Sequence, residues 1–286
     1  MHWPPRPTAE FRPAGRGAPV RAPADRAGRA GAAAIPEVGV LLRAVESEVI
    51  PRLLAVHQSG GAPGPMPTLG EIETLCSFAL ERDRDGALAL VRGLMADGMA
   101  IDTVYLNLLT STARMLGELW ERDRVSFVDV TVGLCVLHQL LFTLAPDFER
   151  GASPGGAGRR ALIAPAPGET HVFGALMVAK FFARAGWNVW TELSTTEAEL
   201  VSLQTAHSFE LIGLSVACEQ HFETVRAAIG ALKRHAPPPV VMLGGRAIDA
   251  NPERAGDLGA DAIAGPPHAA IALAETLVAR GLTDER

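Results

Sequence analysis

The C-terminal part of this chain, beyond residue 158, alternates short apolar runs with longer amphipathic stretches. Strands that alternate with helices require a parallel sheet covered by helices on both faces. We therefore predict an α/β domain over residues 159–282, with a flavodoxin-like (Rossmann-like) five-stranded parallel sheet whose ligands bind at the carboxyl ends of the strands. The predicted strands are 161–164, 188–192, 211–216, 240–243 and 260–264, and the predicted helices are 172–185, 196–206, 221–235, 250–256 and 268–280.

Residues 68–150 have the apolar spacing of a helical bundle. Thr68 and Glu71 form a capping-box pattern that opens the first helix, and further helices are predicted at 84–97, 101–121 and 126–146. Short turns between such helices favour antiparallel neighbours, and hence a bundle of about four helices. The apolar stretch near residue 138 is too short to span a bilayer, so we interpret it as a buried helix and expect no membrane association.

The N-terminal part of the chain differs in composition. Residues 1–36 contain seven prolines, six arginines and only two acidic residues, and such a segment cannot bury enough apolar surface to become ordered. We predict a disordered arm, which is either an inert tail or a basic segment that contacts a partner or DNA. Residues 37–67 are predicted to form one amphipathic helix, to His57, followed by a Gly/Pro-rich linker.

Composition excludes several classes of function. The net charge of −6 argues against a broad electrostatic grip on nucleic acid. The 3 cysteines are far apart, which suits neither a disulfide framework nor a zinc site and is typical of a reducing cytoplasm. There is no phosphate-binding Gly-rich loop, nucleophile elbow or metalloprotease helix motif, and no secretory signal is visible, so we expect a cytoplasmic protein that is not an enzyme.

The residues that carry chemistry follow the predicted strands. A loop with a histidine follows the first strand, and a carboxylate two residues before an imidazole can accept one ring N–H while the other nitrogen binds a metal. The other strand ends offer small residues, which leave room for a ligand and let backbone N–H groups approach it. The candidate residues are Glu169, Thr170, His171, Val172, Phe173 and Gly174 after the first strand, Ser215, Val216 and Ala217 after the third, Gly244 and Gly245 after the fourth, and Gly265 and Pro266 after the fifth.

This pattern resembles the signature of base-off/His-on cobalamin-binding domains, Asp-x-His-x-x-Gly, then Ser-x-Leu, then Gly-Gly. The resemblance implies that His171 replaces the dimethylbenzimidazole of the cofactor as the lower cobalt ligand. It also implies that the displaced nucleotide tail enters a slot beside the small residues, where Ser215 can hydrogen-bond it. Two positions depart from the signature: Glu169 stands where Asp is usual, and Ala217 where Leu is usual.

The remaining polar candidates are less specific. His221 and His268 begin helices near the same sheet edge, so either can border the corrin ring. His138 and His207 are interpreted as structural residues, and Cys218 as a buried, inert thiol.

The helical region resembles the cap that covers the upper face of the corrin in B12-dependent photoreceptor regulators. The resemblance is carried by the segment 115–120, which ends in Trp120. Trp120 is either a core aromatic residue or a lid over the upper ligand. Where the photoreceptors have Glu-His, this chain has Val130 and Thr131, neither of which can ligate cobalt. The resemblance is therefore compatible with hydroxocobalamin or adenosylcobalamin.

As a whole, the arrangement resembles the AerR/PpaA-type antirepressors of purple photosynthetic bacteria. This resemblance implies a light-responsive cobalamin protein that acts through a transcriptional repressor of photosystem genes. No helix-turn-helix is visible, so DNA contact would be indirect or through the N-terminal arm. A corrinoid methyl carrier and a haem-binding sensor that uses the same histidine are alternatives, and the sequence leaves the oligomeric state open.

Overall fold

The computed structural model describes residues 64–150 and 158–284, the last three as backbone only. The predicted arm of residues 1–36 and the predicted helix up to His57 lie outside the described residues. No helix of the described part is long and apolar enough to cross a membrane.

The first described region is helical. Its α1 begins with the predicted capping box, in which Thr68 N donates to Glu71 Oε2 (2.6 Å) and Glu71 N donates to Thr68 Oγ1 (3.3 Å). The predicted helix 126–146 is divided at Leu144, because Pro146 lies in the first turn of the next helix and cannot donate to the helical ladder. The elements are α1 Leu69–Glu81, α2 Arg84–Ala96, α3 Ile101–Thr103, a π-helical segment Val104–Leu109, α4 Thr110–Glu121, α5 Phe127–Thr143 and α6 Ala145–Glu149.

The second region confirms the predicted fold class. Five parallel strands lie in the order β2-β1-β3-β4-β5. The predicted helix 250–256 is instead two short helices separated by Asn251, since Pro252 starts the second. The elements are β1 Arg160–Pro165, α7 Phe173–Arg184, β2 Asn188–Thr191, α8 Glu197–His207, β3 Leu211–Ser215, a 3₁₀ turn Glu219–His221, α9 Phe222–Leu232, β4 Val240–Gly244, α10 Arg246–Ala250, α11 Pro252–Asp257, β5 Ala262–Ile263 and α12 Pro267–Asp284.

The two faces of the sheet have separate apolar cores. One face packs on α8 and α9, and the other on α7 and α12. The outer side of α7 belongs to the helical core, where Met177 and Phe181 pack with fully buried Tyr105 and Phe148. The helical region therefore lies against α7, and the strand order reverses between β1 and β3, where open α/β sheets bind ligands.

Candidate functional site

A histidine–carboxylate pair lies in the loop between β1 and α7. Nδ1 of His171 is 2.6 Å from Oε1 of Glu169. The Glu169 side chain is only 1% exposed, whereas the His171 side chain is 62% exposed. The pair thus joins a buried acceptor to an imidazole that faces outwards.

The Glu169 carboxylate is anchored by backbone N–H groups from two loops. Oε1 accepts from the backbone N of Thr170 (2.9 Å) and of His171 (3.2 Å). Oε2 accepts from the backbone N of Ala217 (3.1 Å) and of Cys218 (3.2 Å), which follow β3. Burial alone would raise the pKa of Glu169, but the hydrogen bonds from His171 and from these N–H groups outweigh it and hold the pKa below its usual value.

This anchoring determines which imidazole nitrogen is available. An ionised carboxylate can only accept hydrogen bonds, so in the neutral imidazole Nδ1 of His171 carries the proton and Nε2 has the free lone pair. Histidine ligands of metals have this arrangement, in which the second ring nitrogen donates to a carboxylate. The pair can therefore present one oriented nitrogen ligand to a metal at the sheet edge.

The local sequence explains why the loop takes this shape. Gly168 has a φ of +82°, a backbone conformation that favours glycine. Gly168 is the third residue of a turn that is closed by Glu169 N donating to the carbonyl of Ala166 (2.9 Å). Val172 then caps α7, so His171 is held between a tight turn and a helix start.

The predicted slot for the nucleotide tail would lie between β3 and the helices α7 and α12, which cover this face of the sheet. β3 is the central strand, yet Gly213 and Ser215 on its α7/α12 side are partly exposed, and Gly174 in the first turn of α7 is exposed. A Cβ atom added at Gly174 would lie 3.5 Å from Oγ of Ser215 and would begin to fill this space. At Gly213 a Cβ atom would lie 2.8 Å from Cδ1 of Ile163 in the neighbouring strand β1, so the Ile163 side chain occupies the place next to this glycine.

The Gly-Gly pair at the end of β4 allows a close backbone approach. Gly245 has a φ of +104°, and a Cβ atom there would lie 2.6 Å from the carbonyl oxygen of Val216. At Gly244 a Cβ atom would lie 3.2 Å from the Cβ of Ala264. The predicted residues Gly265 and Pro266 follow directly and are exposed.

The predicted upper-face residues lie on the helical region. Trp120 is 48% exposed, so it is not a core residue, and its ring packs edge-on against Phe127 with centroids 6.3 Å apart. Val130 packs against the helical core. Thr131 is exposed, and its hydroxyl donates to the carbonyl of Phe127 (2.8 Å).

Helix α5 connects this surface with the histidine loop. The His138 ring lies 5.3 Å from the ring of Phe173, the first residue of α7, and Phe142 lies 5.6 Å from Nζ of Lys180 further along α7. Helix α5 therefore contacts α7 at Phe173, two residues after His171. Oε1 of Glu121, at the end of α4, lies 3.8 Å from Nη1 of Arg246, which follows β4.

The other histidines and Cys218 lie in different surroundings. Nε2 of His221 is 3.8 Å from Oε2 of Glu169, so this histidine borders the pair. His268 contacts Asp102 of the helical region instead (3.0 Å), and His207 packs 3.8 Å from the Trp190 ring. Cys218 is partly exposed and not buried as predicted, while burial and the charge of Glu169 raise the pKa of its thiol.

These observations fit a corrinoid bound with histidine below cobalt. The outward Nε2 of His171 is a suitable axial ligand, and a Cβ atom at exposed Gly174 would meet only Oγ of Ser215, at 3.5 Å, so a tail could approach the sheet there. Glu169, His171 and Cys218 could also be considered together as a small metal site. The Glu169 oxygens already accept five hydrogen bonds, however, so His171 is the ligand that remains.

Comparisons with known proteins agree with this assignment. A family model described as a B12 binding domain matches residues 159–274, and a second B12 binding domain model matches residues 71–141. A Rhodobacter capsulatus protein, named as an uncharacterized 20.5 kDa protein in the bchF-crtJ intergenic region, is 24% identical over 164 residues, which are 57% of this chain and 85% of that protein. The structure of the monomethylamine corrinoid protein of Methanosarcina barkeri is 18% identical, with a TM-score of 0.60 over 73% of this chain and all of that one.

Proposed function

This chain belongs to the cobalamin-binding proteins, and from that premise we propose that it is a light-responsive transcriptional regulator rather than an enzyme. In this proposal it works in the cytoplasm as an antirepressor, by binding a repressor protein of photosynthesis genes. The described residues suggest no element for reading DNA directly, so contact with the operator would be through that repressor or through residues 1–36.

The Glu169–His171 pair is the observation that supports cobalamin binding at this site. His171 would hold cobalt from below through Nε2, and Glu169 would fix the orientation of the imidazole. Gly174, Ser215 and Gly245 would border the nucleotide tail. When bound, the corrinoid supplies a cobalt centre whose upper ligand can be exchanged or removed by light.

Two observations support the proposed regulatory role. The relative in Rhodobacter capsulatus is named for the bchF-crtJ region, which is a photosynthesis gene region. In addition, the predicted upper-face positions Val130 and Thr131 carry no metal-ligating group, so the upper position would be left to an exchangeable ligand. A change of that ligand would alter the fit of the helical region, which a partner protein can detect.

Reconstitution distinguishes this proposal from its alternatives. The purified chain would be incubated separately with hydroxocobalamin, adenosylcobalamin, methylcobalamin and haem, and absorption spectra would be recorded before and after illumination. We expect uptake of a cobalamin and a spectral change on illumination. Uptake of haem alone would support the haem sensor, and a methylated form stable to light that a methyltransferase demethylates would support the methyl carrier.

The partner is tested by operator binding. A purified photosynthesis-gene repressor would be titrated with its operator DNA in the presence of the cobalamin-free or cobalamin-bound chain, in the dark and in light. We expect the bound chain to change operator affinity by about 5- to 100-fold in one light state, the usual range of coupling between two binding sites. An affinity that is the same under all four conditions would overturn the regulatory proposal.

A further inference from the structure

We propose that Asp102 is an ionic pin that holds the helical region onto the two helices that cover the tail slot, and that it thereby controls access to the upper face of the bound cofactor. The inference rests on the proposed cobalamin site and adds a positioning residue far from it in sequence. Asp102 lies in α3, while its two partners lie in α7 and at the start of α12.

Asp102 contacts both helices. The Arg184 guanidinium donates to both Asp102 oxygens, at 2.5 Å and 2.6 Å, in a bidentate pair. Nε2 of His268 lies 3.0 Å from Asp102 Oδ2. A bidentate guanidinium–carboxylate pair fixes orientation as well as distance. One carboxylate therefore determines how α3 sits on α7 and α12 together.

The surroundings make this contact stronger than an ordinary surface pair. The side chains of Arg184 and Asp102 are only 16% and 30% exposed. The Arg184 guanidinium lies 3.9 Å from the centroid of the Phe148 ring, and the Phe181 ring meets His268 edge-on with centroids 5.2 Å apart. The pair is thus partly buried between aromatic rings, so salt screens it less than it screens a fully exposed pair.

The two helices joined by the pin are those that cover the slot. Four of the residues that they pack against the sheet are alanines, and on the facing strand Gly213 and Ser215 remain partly exposed. A tail between β3 and these helices would press on both of them, and the pin resists their separation from the helical region. The small residues are Ala175 and Ala179 in α7 and Ala270 and Ala274 in α12.

The pin is also joined to α5, which contacts the start of α7. The π-helical segment Val104–Leu109 begins two residues after Asp102, and such segments recur at functional sites. Tyr105 in this segment is fully buried, and its hydroxyl donates to the carbonyl of Leu141 in α5 (2.7 Å). A displacement of α3 would therefore also move α5, whose His138 ring lies 5.3 Å from the ring of Phe173, two residues after His171.

The experiment measures access to the upper face. Wild type, Asp102→Asn and Asp102→Ala would be loaded with hydroxocobalamin and mixed with cyanide, and the rate at which cyanide replaces the upper ligand would be followed by absorbance. Glu73→Gln, an exposed acid in α1, is the charge-matched control. We expect the rate to rise at least about tenfold in Asp102→Ala and to be unchanged in the control; equal rates in wild type and Asp102→Ala would overturn the proposal.

Two further measurements distinguish a failure of the Asp102 proposal from a failure of the proposed cobalamin site. Because His171 is untouched, the spectrum of bound cobalamin in Asp102→Asn should match that of wild type in the dark. If wild type takes up no corrinoid, the cofactor proposal fails, and the pin is then tested by hydrogen exchange of the cofactor-free protein. Amides of α3 and α5 should exchange faster in Asp102→Ala than in wild type, and unchanged exchange would overturn the pin. If Asp102→Ala does not fold, Arg184→Lys provides the same comparison, because lysine keeps the charge but cannot form the bidentate pair.

Discussion

Oε2 of Glu169 lies 3.1 Å from the backbone nitrogen of Ala217, so one carboxylate joins the loop after β1 to the loop after β3. The other oxygen of the same group accepts from His171. Glutamate is longer than the aspartate that is usual at this position of the motif, and here it reaches both loops at once. The orientation of the predicted cobalt ligand is therefore fixed by the topological switch point of the sheet and not by its own loop alone.

Glu169→Gln should weaken cobalamin binding although the two side chains have nearly the same shape. The amide cannot accept from four backbone N–H groups and from His171 as a carboxylate does, and its NH₂ group would face a donor. We expect a 10- to 100-fold loss of affinity, the usual effect of removing a carboxylate behind a histidine ligand. Titration followed by absorbance measures it, with exposed Glu197→Gln as the control. An unchanged affinity would show that Glu169 does not orient the ligand.

Gly174→Val should discriminate between cobalamin and cobinamide, a corrinoid without the nucleotide tail. The new side chain would enter the space beside Ser215, and overpacking of this kind costs about 1–3 kcal/mol. We expect cobalamin affinity to fall about 10- to 100-fold while cobinamide binding changes little. Gly230→Ala is the control, since a Cβ there meets nothing within 4 Å. An equal loss for both corrinoids would contradict a slot at this position.

His138→Leu should stabilise the protein and change its response to acid. The Nε2 atom of His138 is buried and has no hydrogen-bond partner within residues 64–150 and 158–284, and burial lowers its pKa from the ordinary 6.5. Because the folded pKa is the lower one, the unfolded chain binds the proton first, and wild type loses stability as the pH falls below 6.5.

Leucine removes both the unpaired nitrogen and this proton linkage. We expect a gain of about 1 kcal/mol at pH 7 and a larger gain at pH 5, measured by urea unfolding. His235→Gln provides the comparison at another histidine. A gain that does not grow between pH 7 and pH 5 would mean that His138 has the same pKa in the folded and unfolded states.

Trp120→Ala should affect the cofactor more than the fold. The indole is 48% exposed and packs on the exposed ring of Phe127, so its removal should cost less than about 1 kcal/mol of stability. If Trp120 covers the upper ligand, photolysis of bound adenosylcobalamin should change in rate or yield relative to wild type. Identical photolysis in the two proteins would place Trp120 away from the upper face.

The fold was predictable because its signals are local. Apolar runs between amphipathic helices indicate a parallel sheet, and the capping box of Thr68 and Glu71 marks the start of α1. The breaks at Leu144 and Asn251 were missed, although Pro146 and Pro252 signal both of them. Helix boundaries depend on such single residues, which a periodic apolar pattern obscures.

The site was only partly predictable because much of it is tertiary. The spacing of Glu169 and His171 is visible in the sequence, whereas the contacts of Glu169 with Ala217 and Cys218 depend on β1 and β3 being neighbours. Asp102 and Arg184 are 82 positions apart, and no local pattern links them. Interactions between distant segments need the packed structure, since neither partner is unusual in its own segment.

The identity of the lower cobalt ligand is tested most directly by electron paramagnetic resonance. The protein would carry nitrogen-15 in its histidines alone, and the bound cofactor would be reduced to its cobalt(II) form. The unpaired electron of this form couples to the nitrogen that ligates cobalt from below. If His171 is that ligand, the nitrogen splitting of each cobalt line should change from the triplet of ordinary nitrogen to the doublet of nitrogen-15, and His171→Ala should abolish the doublet. A triplet that persists in the labelled protein would mean that the cofactor keeps its own benzimidazole on cobalt and would contradict the account.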